Sequence, residues 1–299
     1  MSYLSTARAV ALALAFSLPA LSASAGDLQR NFDVADGGLL KIDTEHGKID
    51  VRTDGRDVQI EVLRDGSRAE EFIVEFEQDG DDVTVVGEWP DGLNSWRSRP
   101  KARIEFRVTV PPNFNLDLDS SGGSLRVADL GGSLRARTSG GSIQMGVIAG
   151  EVDANTSGGS IKLDGGGASA RVNTSGGSIR VGRVAGDLHA HTSGGSVRID
   201  GVQGNVDATT SGGSVEATLL QQPTSDCKLS TSGGTVTLNM AGEFAVDINA
   251  SSGGGRVTSD WPIDGKKSAK RRLRGSLNGG GPLMRLSSSG GGVRIRRDR

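Results

Sequence analysis

One cysteine, Cys227, in 299 residues excludes an internal disulfide. Eight prolines exclude collagen, which needs abundant proline beside a glycine at every third position. Only three histidines occur, and His46 lies far from His189 and His191. With Asp207, the latter two have the donor types of a metal site; without a further histidine nearby they read as exposed polar residues. The 7 Phe, 3 Trp and 1 Tyr are too few for a broad aromatic core and fit a narrow one filled by Val, Ile, Leu and Ala. After Leu21 no apolar run approaches the roughly 20 residues of a membrane-spanning helix.

Glycine is in excess, at 46 residues, against roughly 7 % in ordinary proteins. Val, Ile and Leu alternate regularly between the glycines, which argues against disorder and for a turn-rich repeat. The N-terminus has a different character. Arg8, an apolar stretch from Ala9 to Leu21 and "ASA" at Ala23–Ala25 follow the order of a secretory signal peptide, assigned to residues 1–25. No cysteine follows to carry a lipid anchor. Read this way, the chain is exported to the periplasm or the cell surface.

The triplet "SGG" starts at Ser121, Ser139, Ser157, Ser175, Ser193 and Ser211, five consecutive intervals of 18, and again at Ser232, Ser252 and Ser289. The later intervals of 21, 20 and 37 imply insertions. A degenerate earlier copy is "IDTEHGKIDVRT", Ile42 to Thr53. Within each copy, pairs such as Ile179/Val181 and Leu188/Ala190 are apolar at period two, the mark of a half-buried strand. A second turn falls at Gly132, Gly150, Gly186 and Gly204, where glycine would permit φ > 0. "GGG" at Gly165–Gly167 with Ala168 breaks that pattern, and a locally shifted turn is expected there. Two short strands cannot bury their apolar side alone, but coils stacked in register can. The fold class is therefore all-β: a parallel β-solenoid of 18-residue coils over residues 117–299, with a basic insertion near 262–280, capped by an N-terminal β region over 26–116. In the cap, "DG" turns begin at Asp54, Asp65 and Asp79, and Trp89 and Trp96 flank a loop that reads as cap packing.

Each position then acquires a role. Cys227 takes the inward place of Leu188 and reads as a small buried hydrophobe. The row Ser120, Thr138, Thr156, Thr174, Thr192, Thr210 and Thr231 points inward at the corner, as a hydroxyl ladder on turn backbone. The adjacent row is too mixed for an ice-binding T-x-T face. The outward column Asp117, Arg135, Asp153, Arg171, His189, Asp207, Lys228 nearly alternates in sign, which favours correct register.

A second outward column is basic at Arg126, Lys162, Arg180 and Arg198. The segment "KKSAKRRLRG" adds Lys266, Lys267, Lys270, Arg271, Arg272 and Arg274. These ten residues are the candidate surface for an anionic ligand, with polysaccharide, lipid headgroups or another protein as partner. No aromatic residues interleave with them, which argues against nucleic acid. Residues 26–120 hold 12 Lys and Arg against 22 Asp and Glu, whereas residues 121–299 hold 21 against 14. Such a basic segment suits an anionic cell-surface polymer or the end of a neighbouring protomer. Nothing in the sequence calls for a cofactor.

"GGLLKIDTEHGKIDVR", "RIEFRVTVPPNFNLDLDSSGG" and the "TSGGSI" series, in that order, resemble a bacterial family of exported β-strand-repeat proteins labelled "putative adhesin". The resemblance spans roughly Phe32 to Ile295 and implies a right-handed β-helix-like fold in a cell-envelope setting, with no family site to carry over. The expected function is that of a non-enzymatic envelope scaffold or binding surface. The alternative is a carbohydrate-active β-helix enzyme of lyase or hydrolase type, which would need carboxylates or a basic residue clustered over a cleft. Here loops are short and outward carboxylates alternate with cations. No Ser-His-Asp set, phosphate loop or calcium nonapeptide is present.

Overall fold

The computed structural model describes residues 27–91 and 100–297. The proposed signal peptide and Trp96 lie outside the described residues. Among these, helix is limited to one short turn, Ala69–Glu71, and 27 strands form two sheets of 13 and 14 strands. We call these the first and second sheet. One coil shows how the sequence builds them. Ile179–Val184 lies in the first sheet, with Ile179, Val181 and Val184 buried and Arg180 out. A turn at 185–187 leads into Leu188–Thr192 in the second sheet, burying Leu188, Ala190 and Thr192. Ile179 sits in register between Ile161 and Val197, each 18 residues away, in parallel pairing. Each fully buried Ile, Leu or Val contributes about 1.5–3 kcal/mol, and these side chains form one continuous core.

The motif at the corner is explained by stacking. Thr174 Oγ1 donates to the Gly159 carbonyl one rung earlier (2.7 Å) and accepts from Gly177 N (3.4 Å). The bond to the preceding coil's carbonyl recurs at Thr138, Thr156, Thr192, Thr210 and Thr231, and the amide bond at Thr138, Thr156 and Thr231. The Ser after each Gly pair forms a second ladder: Ser178 N donates to Ser160 Oγ (3.1 Å), and Ser196 N to Ser178 Oγ (3.2 Å). The second glycine allows backbone to lie on backbone. A Cβ at Gly159 or Gly177 would overlap the carbonyl of Gly141 or Gly159, respectively. The expectation that the turn glycines take φ > 0 is not met. Gly132, Gly150, Gly186 and Gly204 are absent from the positive-φ set, and a Cβ at Gly150 would come within 2.5 Å of the Gly132 carbonyl oxygen. Close approach is what they require. Nor is the turn after "GGG" shifted: Val152, Ala170 and Leu188 stay in register, because the ladders on both sides hold that strand in place.

The ends depart from the simple stack. The degenerate copy forms a true rung: Leu39–Thr44 pairs with Asn115–Ser120, and Lys48–Arg52 with Leu125–Val127. Both sheets therefore run through residue 116 without a break. Beyond that rung, Val58–Gly66, Ala102–Thr109 and Leu28–Phe32 extend the first sheet, and Asp82–Glu88 and Ile73–Asp79 the second. At the far end the coil order is not sequential. The last coil, Leu283–Ser288 and Val293–Arg297, lies between the coil of Cys227–Thr231 and Val236–Met240 and that of Val246–Ser252 and Val257–Ser259. The hairpin Asp264–Ala269/Arg272–Leu277 pairs antiparallel with the outer edge of Val246–Ser252, which leaves the inner edge to the last coil.

Among the described residues, aromatic side chains occur only at the ends. Phe72 packs edge-on against Trp89 (ring centroids 5.1 Å apart) and Phe106 (6.5 Å) at one end, and Phe244 and Trp261 are buried at the other. Between Asn115 and Glu243 there are none. The regular coils leave only an aliphatic-wide gap between the sheets, and the bulky rings plug its mouths.

Candidate anion-binding surface

The structure separates the ten cations singled out in the sequence into two groups. Arg126, Lys162, Arg180 and Arg198 stand exposed on the outward face of the first sheet, but the stripe is largely neutralised. Arg126 lies 3.7 Å from Asp50, Lys162 2.8 Å from Asp164, and Arg198 3.2 Å from Asp200 and 3.3 Å from Glu216. Only Arg180 has no ion pair among the described residues. Two positions after it stands Gly182, where its neighbours have Asp164 and Asp200.

The second group lies on the terminal hairpin. Lys266 and Lys267 are on its outer strand, Asp264–Ala269, and their side chains lie outside the described set. Lys270, Arg271, Arg272 and Arg274 are exposed along its turn and inner strand. The non-sequential rung order brings in further cations: Arg285 on the second sheet, Arg294, Arg296 and Arg297 on the first, and Arg256 in the corner just before Val257–Ser259. In the sequence these cations are scattered apart from the run "RIRR" at 294–297, and their place beside the hairpin depends on the last coil's position. None of these nine described cations forms an ion pair among the described residues. Arg297 lies over the Trp261 ring, 4.1 Å from its centroid, which holds one cation in place at the rim. Arg274 Nε donates to Asn249 Oδ1 (3.3 Å). Residues 227–297 hold 12 Lys and Arg against 4 Asp and Glu.

The outward column of the second sheet gives the reference for this asymmetry. Lys41, Asp117, Arg135, Asp153 and Arg171 occupy successive rungs, so opposite charges meet, and Arg135 Nε lies 3.8 Å from Asp153. His189, Asp207 and Lys228 continue it. Lys228 is then followed by Arg285, a like charge, with Asn249 and Arg274 beyond. At the opposite end Asp43 and Asp119 are also like-charged neighbours in register. Burial and the nearby Asp43 charge push the Asp119 carboxyl above its ordinary range, with Arg137 opposing. This carboxylate pair was not legible from the alternating column. It lies on an exposed sheet face next to Arg137. Toward the middle, His191 is held by Thr209 (2.7 Å) and His189 faces Asp207 in register. Cys227 is buried, and burial raises its thiol above the ordinary range.

A separate cluster stabilises the N-terminal end. Glu105, 7 % exposed, accepts from Lys48 (3.2 Å), Arg103 (3.4 Å) and Arg107 (3.4 Å). Burial pulls its carboxyl up, but the hydrogen bond and charge of Lys48, with Arg107, outweigh burial and leave it below its ordinary range.

Two mostly parallel sheets that advance one rung per 18 residues around a single core define a β-solenoid. Within that class, the chain belongs to the Toastrack DUF4097 family, whose model matches residues 38–296. Similar solved structures include a "putative adhesin" from Bacteroides fragilis NCTC 9343, with 11 % identity and a TM-score of 0.42 over 92 % of this chain and 98 % of that one. A "putative adhesin" from Parabacteroides distasonis ATCC 8503 has 11 % identity and a TM-score of 0.39 over 90 % and 96 %. A "putative lipid binding protein" from the same organism has 13 % identity and a TM-score of 0.34 over 92 % and 98 %. Likeness this distant assigns no ligand. No curated protein matches the chain.

Proposed function

We propose that the protein is a non-enzymatic, exported scaffold of the cell envelope whose basic end binds an anionic polysaccharide. The observation that carries this reading is the set of nine exposed cations on the terminal rungs, none in an ion pair among the described residues. On the first-sheet stripe, by contrast, Arg126, Lys162 and Arg198 are each matched to a carboxylate, and on the second sheet Arg135 and Arg137 lie beside Asp153. Unmatched like charges in adjacent strands cost stability, and a polyanion would relieve that cost across several rungs at once. The first-sheet stripe contributes chiefly through Arg180. The outward carboxylates Asp50, Asp153, Asp164 and Asp200 each lie beside a cation, which supports binding over hydrolysis.

The test is retention of the purified protein on cell-wall and lipopolysaccharide fractions across a salt series, with anionic vesicles as a separate arm. Binding to the polysaccharide fractions is expected at low salt, falling as the Debye length shortens from about 10 Å at 0.1 M. Replacing Arg271, Arg272 and Arg274 by Gln is expected to abolish it. Absence of binding at low salt overturns the proposal, and binding to vesicles alone replaces the polysaccharide with a lipid headgroup.

A further inference from the structure

The two ends of the stack break the charge rule of its middle in opposite senses. At one end Asp43 abuts Asp119, and at the other Lys228 abuts Arg285. The terminal strands of the second sheet continue the contrast. Ile73–Asp79 carries Glu75, Glu77 and Asp79, all exposed, and among the described residues pairs only with Asp82–Glu88. At the opposite edge Asp264–Ala269 pairs only with its hairpin partner, which carries Arg272 and Arg274. Residues 27–91 hold 7 Lys and Arg against 19 Asp and Glu, the reverse of the imbalance at the far end.

Charged edge strands ordinarily keep copies of a β protein apart. That protection works when like signs meet. Here the two free edges of one sheet carry opposite signs, so the end of one molecule attracts the other end of the next.

We infer that copies of this chain associate head to tail, with the acidic N-terminal end of one molecule against the basic end of its neighbour. Each copy supplies what the other's end lacks: counter-charges and, for the terminal strands, backbone partners. Two different surfaces meet, so the contact does not close on itself and gives an open row rather than a two-fold dimer. One molecule per row keeps its basic end free, so the inference goes beyond polymer binding and is compatible with it.

Sedimentation velocity over a concentration series, at low and high salt, tests this with two charge-reversed proteins. One carries Arg271→Glu, Arg272→Glu and Arg274→Glu; the other carries Glu75→Lys and Glu77→Lys. Circular dichroism checks that both are folded. The unmodified protein is expected to form species that grow with concentration and dissolve as salt rises. Each reversed protein alone is expected to be monomeric, and an equimolar mixture of the two to associate again. The inference is overturned by a monomeric unmodified protein at low salt, by a dimer that grows no further, or by a mixture that stays monomeric. The Glu75/Glu77 variant retains the basic end, so it keeps polysaccharide binding if that reading holds, and the two proposals fail separately.

Discussion

Thr174 Oγ1 lies 2.7 Å from the Gly159 carbonyl oxygen of the preceding coil and accepts from Gly177 N of its own. A single buried hydroxyl thus ties two successive corners together. Thr174→Val keeps the shape but removes both bonds, leaving a carbonyl and an amide short of a partner. The expected cost is about 1–3 kcal/mol, read as a lower urea midpoint with unchanged m-value. Thr174→Ser keeps the hydroxyl and is expected to recover most of the loss.

In the early corners the two glycines are not equivalent, whereas by Gly212 and Gly213 a Cβ at either would come within 2.4 Å of a carbonyl oxygen. A Cβ at Gly177 would overlap the Gly159 carbonyl, whereas at Gly140 the nearest atom, the Gly122 carbonyl oxygen, is 3.6 Å away. Gly140 is also outside the positive-φ set. Gly177→Ala is therefore expected to destabilise by at least the roughly 1–3 kcal/mol of an overpacked core, because backbone rather than a side chain must move. Gly140→Ala is expected to be neutral or to stabilise by up to about 1 kcal/mol, through the less flexible unfolded chain. Thermal unfolding of the pair separates close approach from conformational freedom as the reason for the motif.

That distinction marks where the sequence stops being informative. Equal 18-residue intervals fix which side chains face inward, so Ile179, Leu188 and the place of Cys227 could be read directly. A glycine column does not say why glycine stands there; positive φ and a close neighbour leave the same trace. Inward and outward columns also do not say which rung lies beside which. Arg285 and Arg294 sit next to earlier coils because the hairpin takes the outer edge of Val246–Ser252, a competition between edges that periodicity does not encode. The charge imbalance between the halves was legible, but its placement at opposite ends of one sheet was not.

Glu105 gives the N-terminal end a defined acid sensitivity. Its carboxyl is held below its unfolded value, about 4.5, so its contribution is present above that value and is lost as pH falls through the lower, folded one. Glu105→Gln is expected to cost about 1.5–3 kcal/mol at neutral pH, as charge-assisted hydrogen bonds from Lys48, Arg103 and Arg107 are weakened. The difference from the unmodified protein should shrink as pH is lowered below 4.5, measured by urea unfolding across pH. A constant difference would mean that packing rather than charge is responsible.

Asp119 is expected to respond in the opposite sense. Burial and Asp43 raise its folded pKa above the ordinary 3.8, so the folded state favours the protonated form. The stabilisation from that preference is fully present below the unfolded pKa and is lost as pH rises through the folded one. At neutral pH the charged Asp119 is therefore a small liability, and Asp119→Asn is expected to raise stability. The gain stays within about 0.5 kcal/mol because the side chain is only partly buried and solvent screens the repulsion, and it should vanish below the unfolded pKa. The same substitution tests a hydrolytic role for the Asp43–Asp119 pair. A catalytic acid would lose turnover of any cleaved glycan on conversion to Asn, whereas a scaffold carboxylate changes stability and leaves polysaccharide retention intact.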